Sequence, residues 1–326
     1  MGVFKQSKLE QPNIEQPNIE QPNIEQPNIE QSAPRIIYYY QTLTDLSPIL
    51  FENTPVTHII LSSFHFGTNP DKSPYIHLND HLPTNPKFDS VWEQLELAKT
   101  KYNIEINIMI GGAGGGYYDL FKNFNVYYPM LIKLILSNPI ITGINLDIEE
   151  YVKLSQVKTL ILRLKQDLAY DFNISMAPIQ QSLQTNQAGM GGFCYKDLYN
   201  SPEGKDIDYF NGQFYFDLSA NCYEQCINNG YNPNQVVLGM IQDQDFETAK
   251  KVIQQLYKKY PNFGGVYMWE YFDAPPDGKK DPGQWAIQIN KLFNSSNCND
   301  SNDSNDSNDS KKISIMQYLN PFYYFK

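Results

Sequence analysis

The chain is short of cysteine, of histidine and of positive charge. Of its 326 residues only 4 are Cys and 4 are His, and 25 Lys and Arg stand against 36 Asp and Glu, a net charge of −11. An acidic surface repels phosphate backbones and anionic lipid, which argues against nucleic acid or a membrane as partner. Cys194, Cys222, Cys226 and Cys298 contain no pair at the two-residue spacing typical of structural zinc. Cys222 and Cys226 are at helical i,i+4 spacing, and free thiols in a reducing compartment are the expected state. No carboxylate pattern accompanies His77 and His81, so neither a metal nor a cofactor is expected. No apolar run approaches the ~18 residues of a membrane span. Residues 1–30 lack the apolar stretch of a secretory signal, and Gln6 stands where myristoylation needs Ser or Thr. The expectation is a monomer, cytoplasmic or exported by a non-classical route.

What is present begins with repeats. Residues 11–30 are four copies of Gln-Pro-Asn-Ile-Glu. A proline in every fifth position breaks both helix and sheet ladder, so residues 1–33 read as a low-complexity disordered arm. Residues 299–310 repeat Asn-Asp-Ser, and an aromatic stretch with Tyr318, Phe322, Tyr323, Tyr324 and Phe325 follows. Residues 295–326 therefore read as a polar tail with an aromatic end. The middle, residues 34–294, is left as one folded domain. Apolar residues make up 41% of the chain, enough for a large core. Aromatics at 14% suit packing, and also suit a surface on which sugars stack.

Strand-like runs occupy residues 35–42, 57–67, 104–112, 141–151, 172–179, 207–216, 235–241 and 264–271. Helical patterns lie between many of them, at 91–101, 128–136, 154–169, 246–260 and 285–292. Alternation of strand and helix implies a parallel sheet. Eight such strands in this length match a closed (β/α)8 TIM barrel; the rival is an open, doubly wound sheet. No Gly-x-Gly-x-x-Gly turn follows the first strand, and the glycine-rich residues 111–116 lack the Lys-Ser/Thr of a phosphate loop.

The run Ile141-Thr142-Gly143-Ile144-Asn145-Leu146-Asp147-Ile148-Glu149 carries the chemistry. Residues two apart on a strand share a face, so Asn145, Asp147 and Glu149 line one side and Ile144, Leu146 and Ile148 the other. Burying carboxyl groups is costly unless they line a functional cavity. In a barrel the C-terminal strand ends form the active face. Alternation places Gln213 with Tyr215, and Tyr267 with Trp269, at equivalent ends, so these side chains are expected to converge with Asp147 and Glu149.

These residues resemble a known family. The segment 143–149 resembles the Asp-Gly-x-Asp-x-Asp-x-Glu signature on the fourth barrel strand of glycoside hydrolase family 18, the chitinase family. Ile110-Gly111-Gly112 resembles its third-strand Ser-x-Gly-Gly motif, and Met176-Ala177-Pro178 its fifth strand end. Asp208-Tyr209-Phe210-Asn211-Gly212-Gln213-Phe214-Tyr215 resembles the sixth-strand segment of small plant-type chitinases. Gly264-Gly265-Val266-Tyr267-Met268-Trp269 resembles the eighth strand. The resemblance implies a partner, an oligo- or polysaccharide containing N-acetylglucosamine, and a retaining, substrate-assisted hydrolysis. Glu149 would be the general acid. Asp147 and Tyr215 would complete the catalytic set, with Asp147 also helping to keep Glu149 protonated. Gln213, Trp269 and Asn145 would bind substrate, with Tyr38 and Met176 as further lining. Thr142, Asn145 and Met109 depart from the signature, which has Asp, Asp and Ser there. Asn145 is expected to donate a hydrogen bond to Asp147. The resemblance also admits an endo-β-N-acetylglucosaminidase acting on the chitobiose core of N-glycans, or a barrel that binds sugars without cleaving them.

Overall fold

The computed structural model describes residues 33–296. The strands in chain order are β1 (Arg35–Tyr40), β2 (His58–Thr68), β3 (Pro74–Leu78), β4 (Glu105–Gly111), β5 (Ile141–Asp147), β6 (Asn173–Met176), β7 (Tyr209–Gly212), β8 (Val236–Ile241) and β9 (Gly265–Trp269). Around the sheet they run β1-β9-β8-β7-β6-β5-β4-β2, and β1 pairs with β2 to close the ring. All eight barrel strands pair in parallel. This is the expected (β/α)8 barrel. The strand missed by the sequence reading is β3, an antiparallel addition to β2 outside the barrel. Its five residues begin on Pro74, a first position where an edge strand tolerates proline, and Ile76 and Leu78 alternate with Tyr75 and His77. The arm up to residue 32 and the tail from residue 297, including Cys298, lie outside the described residues.

Strand alternation sorts side chains into two cores. Ile36, Tyr38 and Tyr40 face outward and join Ile144, Leu146, Ile174 and Met176 in a large cluster shared with the surrounding helices. Ile37 and Tyr39 face inward, with Ile60, Met109, Tyr209, Val237 and Tyr267. The helices supply matching stripes: Val157, Leu160, Ile161 and Leu164 in Leu154–Asp167, and Phe246, Ala249, Ile253 and Leu256 in Phe246–Lys259. Asp245 caps the latter, accepting a hydrogen bond from the Thr248 amide at 2.8 Å. Each fully buried Val, Leu or Ile among them contributes about 1.5–3 kcal/mol. Among the described residues, no helix is long and apolar enough to cross a membrane.

Candidate active site

Inside the barrel, the inward faces of β4 to β7 carry amides and a hydroxyl among the apolar residues: Asn107, Asn145, Ser175 and Asn211 are all fully buried. Buried polar groups of this kind need partners. The Tyr39 hydroxyl donates to Asn145 Oδ1 at 3.0 Å and accepts from Asn211 Nδ2 at 2.8 Å. Asn145 Nδ2 in turn donates to Ser175 Oγ at 2.9 Å. The amide of Asn145 is therefore committed to Tyr39 and Ser175. The expected hydrogen bond from Asn145 to Asp147 is not made, because both ends of the amide are already held across the barrel.

Above this layer opens a cleft of about 360 Å³, lined by Gln41, Ser63, His65, Met109, Gly111, Gly112, Ala113, Gly114, Asp147, Glu149, Gln213, Tyr215 and Trp269. Asp147 is the last residue of β5, 6% exposed, and Glu149 sits just beyond the strand, half-buried. Burial, reinforced by the neighbouring Glu149 carboxyl, holds the Asp147 carboxyl well above the usual range. Gln213 follows β7; its Nε2 donates to Ala177 O at 2.9 Å and reaches Asp147 Oδ1 at 3.4 Å. The Tyr215 hydroxyl accepts from the Tyr267 hydroxyl at 3.0 Å, and burial pushes the Tyr215 phenol up from its ordinary value. Gln244 Nε2 fixes the backbone that carries Tyr215 by donating to Phe214 O at 2.8 Å and Tyr215 O at 3.2 Å. Trp269 ends β9, half-buried, with its ring 5.2 Å from that of Tyr39.

The glycines of the third-strand motif have a local cause. Gly111 has φ +92°, and a Cβ there would lie 2.3 Å from the Asp147 carbonyl oxygen. Gly112 has φ +80° and donates its amide to that same carbonyl at 2.9 Å. The backbone of this loop can lie against Asp147 only without side chains.

Five residues named from sequence thus surround one cleft: Asp147, Glu149, Gln213, Tyr215 and Trp269. Asn145 lies beneath it, supporting rather than lining. Two others are corrected. Tyr38 points outward, donating to Pro282 O at 2.6 Å and accepting from the Ala286 amide at 3.2 Å, with its ring against Tyr271 and Trp285. Met176 likewise belongs to the outer core. In each case the strand neighbour, Tyr39 or Ser175, is the inward residue; a one-residue error on a strand exchanges faces. Thr142 bonds Glu105 Oε2 at 2.6 Å at the opposite, N-terminal end of the strands, away from the cleft. Gln41, Ser63, His65 and Gln244 were missed, since nothing in their spacing marks them. Tyr118, Tyr151 and Phe216 follow β4, β5 and β7 and remain exposed, the last two at 76% and 85%. All three leave aromatic faces to solvent.

No protein-family model matches the chain, and no curated protein does. Solved structures do. The chain is similar to a fungal endo-β-N-acetylglucosaminidase from glycosyl hydrolase family 18, at 29% identity and a TM-score of 0.72, over 80% of this chain and 98% of that one. It is similar to the chitinase ChiC from Aspergillus fumigatus, at 31% identity and a TM-score of 0.70, over 79% of this chain and 99% of that one. Human YKL-39, described as a pseudo-chitinase with retained chitooligosaccharide binding, shares the fold at 12% identity and a TM-score of 0.58, over 80% of this chain and 100% of that one.

Proposed function

This chain belongs to glycoside hydrolase family 18, and from that premise we propose that it hydrolyses β-1,4-linked N-acetylglucosamine in chitin or chito-oligosaccharides, with retention at the anomeric carbon. The observation that carries the reading is the convergence of Asp147, Glu149, Gln213, Tyr215 and Trp269 on one cleft.

Glu149 protonates the glycosidic oxygen as the bond to the anomeric carbon breaks. The substrate's own acetamido oxygen attacks that carbon from the opposite side, the substrate-assisted route of this family. Asp147 sits in a buried position, where a carboxylate stabilises the developing oxazolinium charge more than it would in water. Its raised proton affinity supports a role in which it holds the acetamido N–H and shares a proton with Glu149 across the cycle. The Tyr215 hydroxyl and the Gln213 amide position the acetamido group, and Trp269 forms an apolar floor under the sugar. Glu149 then takes a proton from water, which opens the oxazoline and restores the β-configuration.

A second reading, cleavage within the N-glycan chitobiose core, is favoured by the likeness to the fungal endo-β-N-acetylglucosaminidase. The test uses a fluorogenic chitotriose and a high-mannose glycopeptide, each with the parent and with Glu149→Gln. The proposal expects chitotriose cleavage with initial β-anomer, lost in Glu149→Gln. Preference for the glycopeptide transfers the assignment to the second reading. Binding of chito-oligosaccharide without any cleavage makes the barrel a lectin, and initial α-anomer defeats the substrate-assisted route.

A further inference from the structure

We propose that His65 is a specificity-determining residue of the cleft, accepting a hydrogen bond through Nε2 from a hydroxyl of the sugar bound there; the inference rests on the carbohydrate reading of the site. His65 is on β2, half-buried, and lines the cleft beside Gln41 and Ser63. Its Nδ1 is 2.8 Å from Gly115 O. A carbonyl only accepts, so Nδ1 carries the proton, and in the neutral ring Nε2 is left with a lone pair. The ring cannot turn freely to change this. It lies flat against the glycine loop: a Cβ on Gly114 would come within 2.6 Å of His65 Cε1 and 3.1 Å of both ring nitrogens. Alongside, β3 pairs with β2 and sets His77 opposite His65, with the His77 ring stacked 3.8 Å from Tyr75. The far side of the loop is held independently, since Glu150 Oε1 accepts from the Tyr118 amide at 2.7 Å. A ring with one nitrogen spent on the protein, a fixed tautomer and a wall position in the cleft is preorganised to read a hydroxyl. Glu149 does the chemistry; His65 selects what is presented to it.

The direct test is nitrogen NMR of the imidazoles in Glu149→Gln protein, with His65 assigned by its loss in a His65→Asn variant. Free protein is expected to show His65 as the Nδ1–H tautomer. Saturating chitotetraose is expected to move the Nε2 resonance in the direction of hydrogen-bond acceptance and to leave Nδ1 in place. The kinetic counterpart is His65→Asn, which keeps a donor near the Nδ1 position and removes Nε2. On fluorogenic chitotriose its KM is expected to rise about fivefold, the size of one neutral hydrogen bond, with kcat changed less than twofold. Chitotetraose that binds, as seen by tryptophan fluorescence, without moving the His65 Nε2 signal overturns this inference alone. The Nε2–H tautomer in the free protein also overturns it. Chitotetraose that does not bind at all, with no cleavage by the parent, defeats the proposed function instead.

Discussion

The Tyr39 hydroxyl donates to Asn145 Oδ1 at 3.0 Å, and this one contact orients the amide that stands where the family signature has a second carboxyl. With Oδ1 taken by Tyr39 and Nδ2 given to Ser175, Asn145 offers no site for a proton. A carboxyl there could accept from both Tyr39 and Ser175 and also take up a proton beneath Asp147. Asn145→Asp is therefore expected to raise kcat several-fold. It is also expected to lower thermal stability at pH 7, since a second buried carboxyl is added close to Asp147, at a cost of about 1–3 kcal/mol. Turnover and melting temperature measured together check both directions; equal turnover in parent and variant removes the functional half.

Asp147 itself is expected to trade stability for chemistry. Its folded-state proton affinity is raised by burial and by Glu149. The contribution of this group to stability is complete below its unfolded value of about 3.9 and is lost as pH rises toward the folded value. Asp147→Asn removes the ionisation. The variant should melt higher than the parent at pH 7, with the advantage shrinking toward pH 4, while kcat falls about 10²–10³-fold. Melting curves across that range decide it, and an advantage that grows on acidification would show the sign to be wrong.

The two adjacent tyrosines of β1 separate packing from function. Tyr38→Phe loses the hydrogen bonds with Pro282 O and the Ala286 amide, which should cost about 1–3 kcal/mol and leave kcat/KM within twofold. Tyr39→Phe unseats Asn145 and Asn211 below the cleft and should lower kcat by about tenfold as well as stability. Steady-state kinetics on the pair, with melting temperatures as the control, tests the assignment of faces.

The barrel was legible in the sequence because parallel strands are buried on both sides and read as near-continuous apolar runs between helical stripes. The same property hid which residue of each run faces inward. Tyr38, Tyr39 and Tyr40 are chemically identical in sequence, and only the register of β1 with β9 and β2 tells them apart. Met176 was expected at the cleft from its place at a strand end, whereas its neighbour Ser175 is the residue that faces inward. On β5 the alternation of Asn145, Asp147 with Ile144, Leu146 left no ambiguity, so the acidic face was placed correctly even though β5 stops at Asp147 and Glu149 lies beyond it. His65 and Gln244 act through contacts to backbone made only in the folded chain, which no spacing rule encodes.

The glycine loop gives a prediction with an internal control. Gly111 and Gly116 both have positive φ, +92° and +133°. At Gly111 an added Cβ meets the Asp147 carbonyl oxygen at 2.3 Å and the Tyr117 ring at 2.5 Å, whereas at Gly116 the nearest atom is 3.5 Å away. Gly116→Ala therefore carries backbone strain alone, of order 1–2 kcal/mol, while Gly111→Ala adds a clash with fixed backbone, for a total of about 3–5 kcal/mol. For a barrel of this size the first should lower the melting temperature by a few degrees and the second by roughly 10 °C. Only Gly111→Ala displaces the backbone of Asp147, so only it should reduce kcat by more than the loss of folded protein accounts for. Activity per folded molecule, with the folded fraction taken from circular dichroism at the assay temperature, distinguishes the two. Parental specific activity in Gly111→Ala would mean that the contact between Gly111 and Asp147 shapes the fold and not the site.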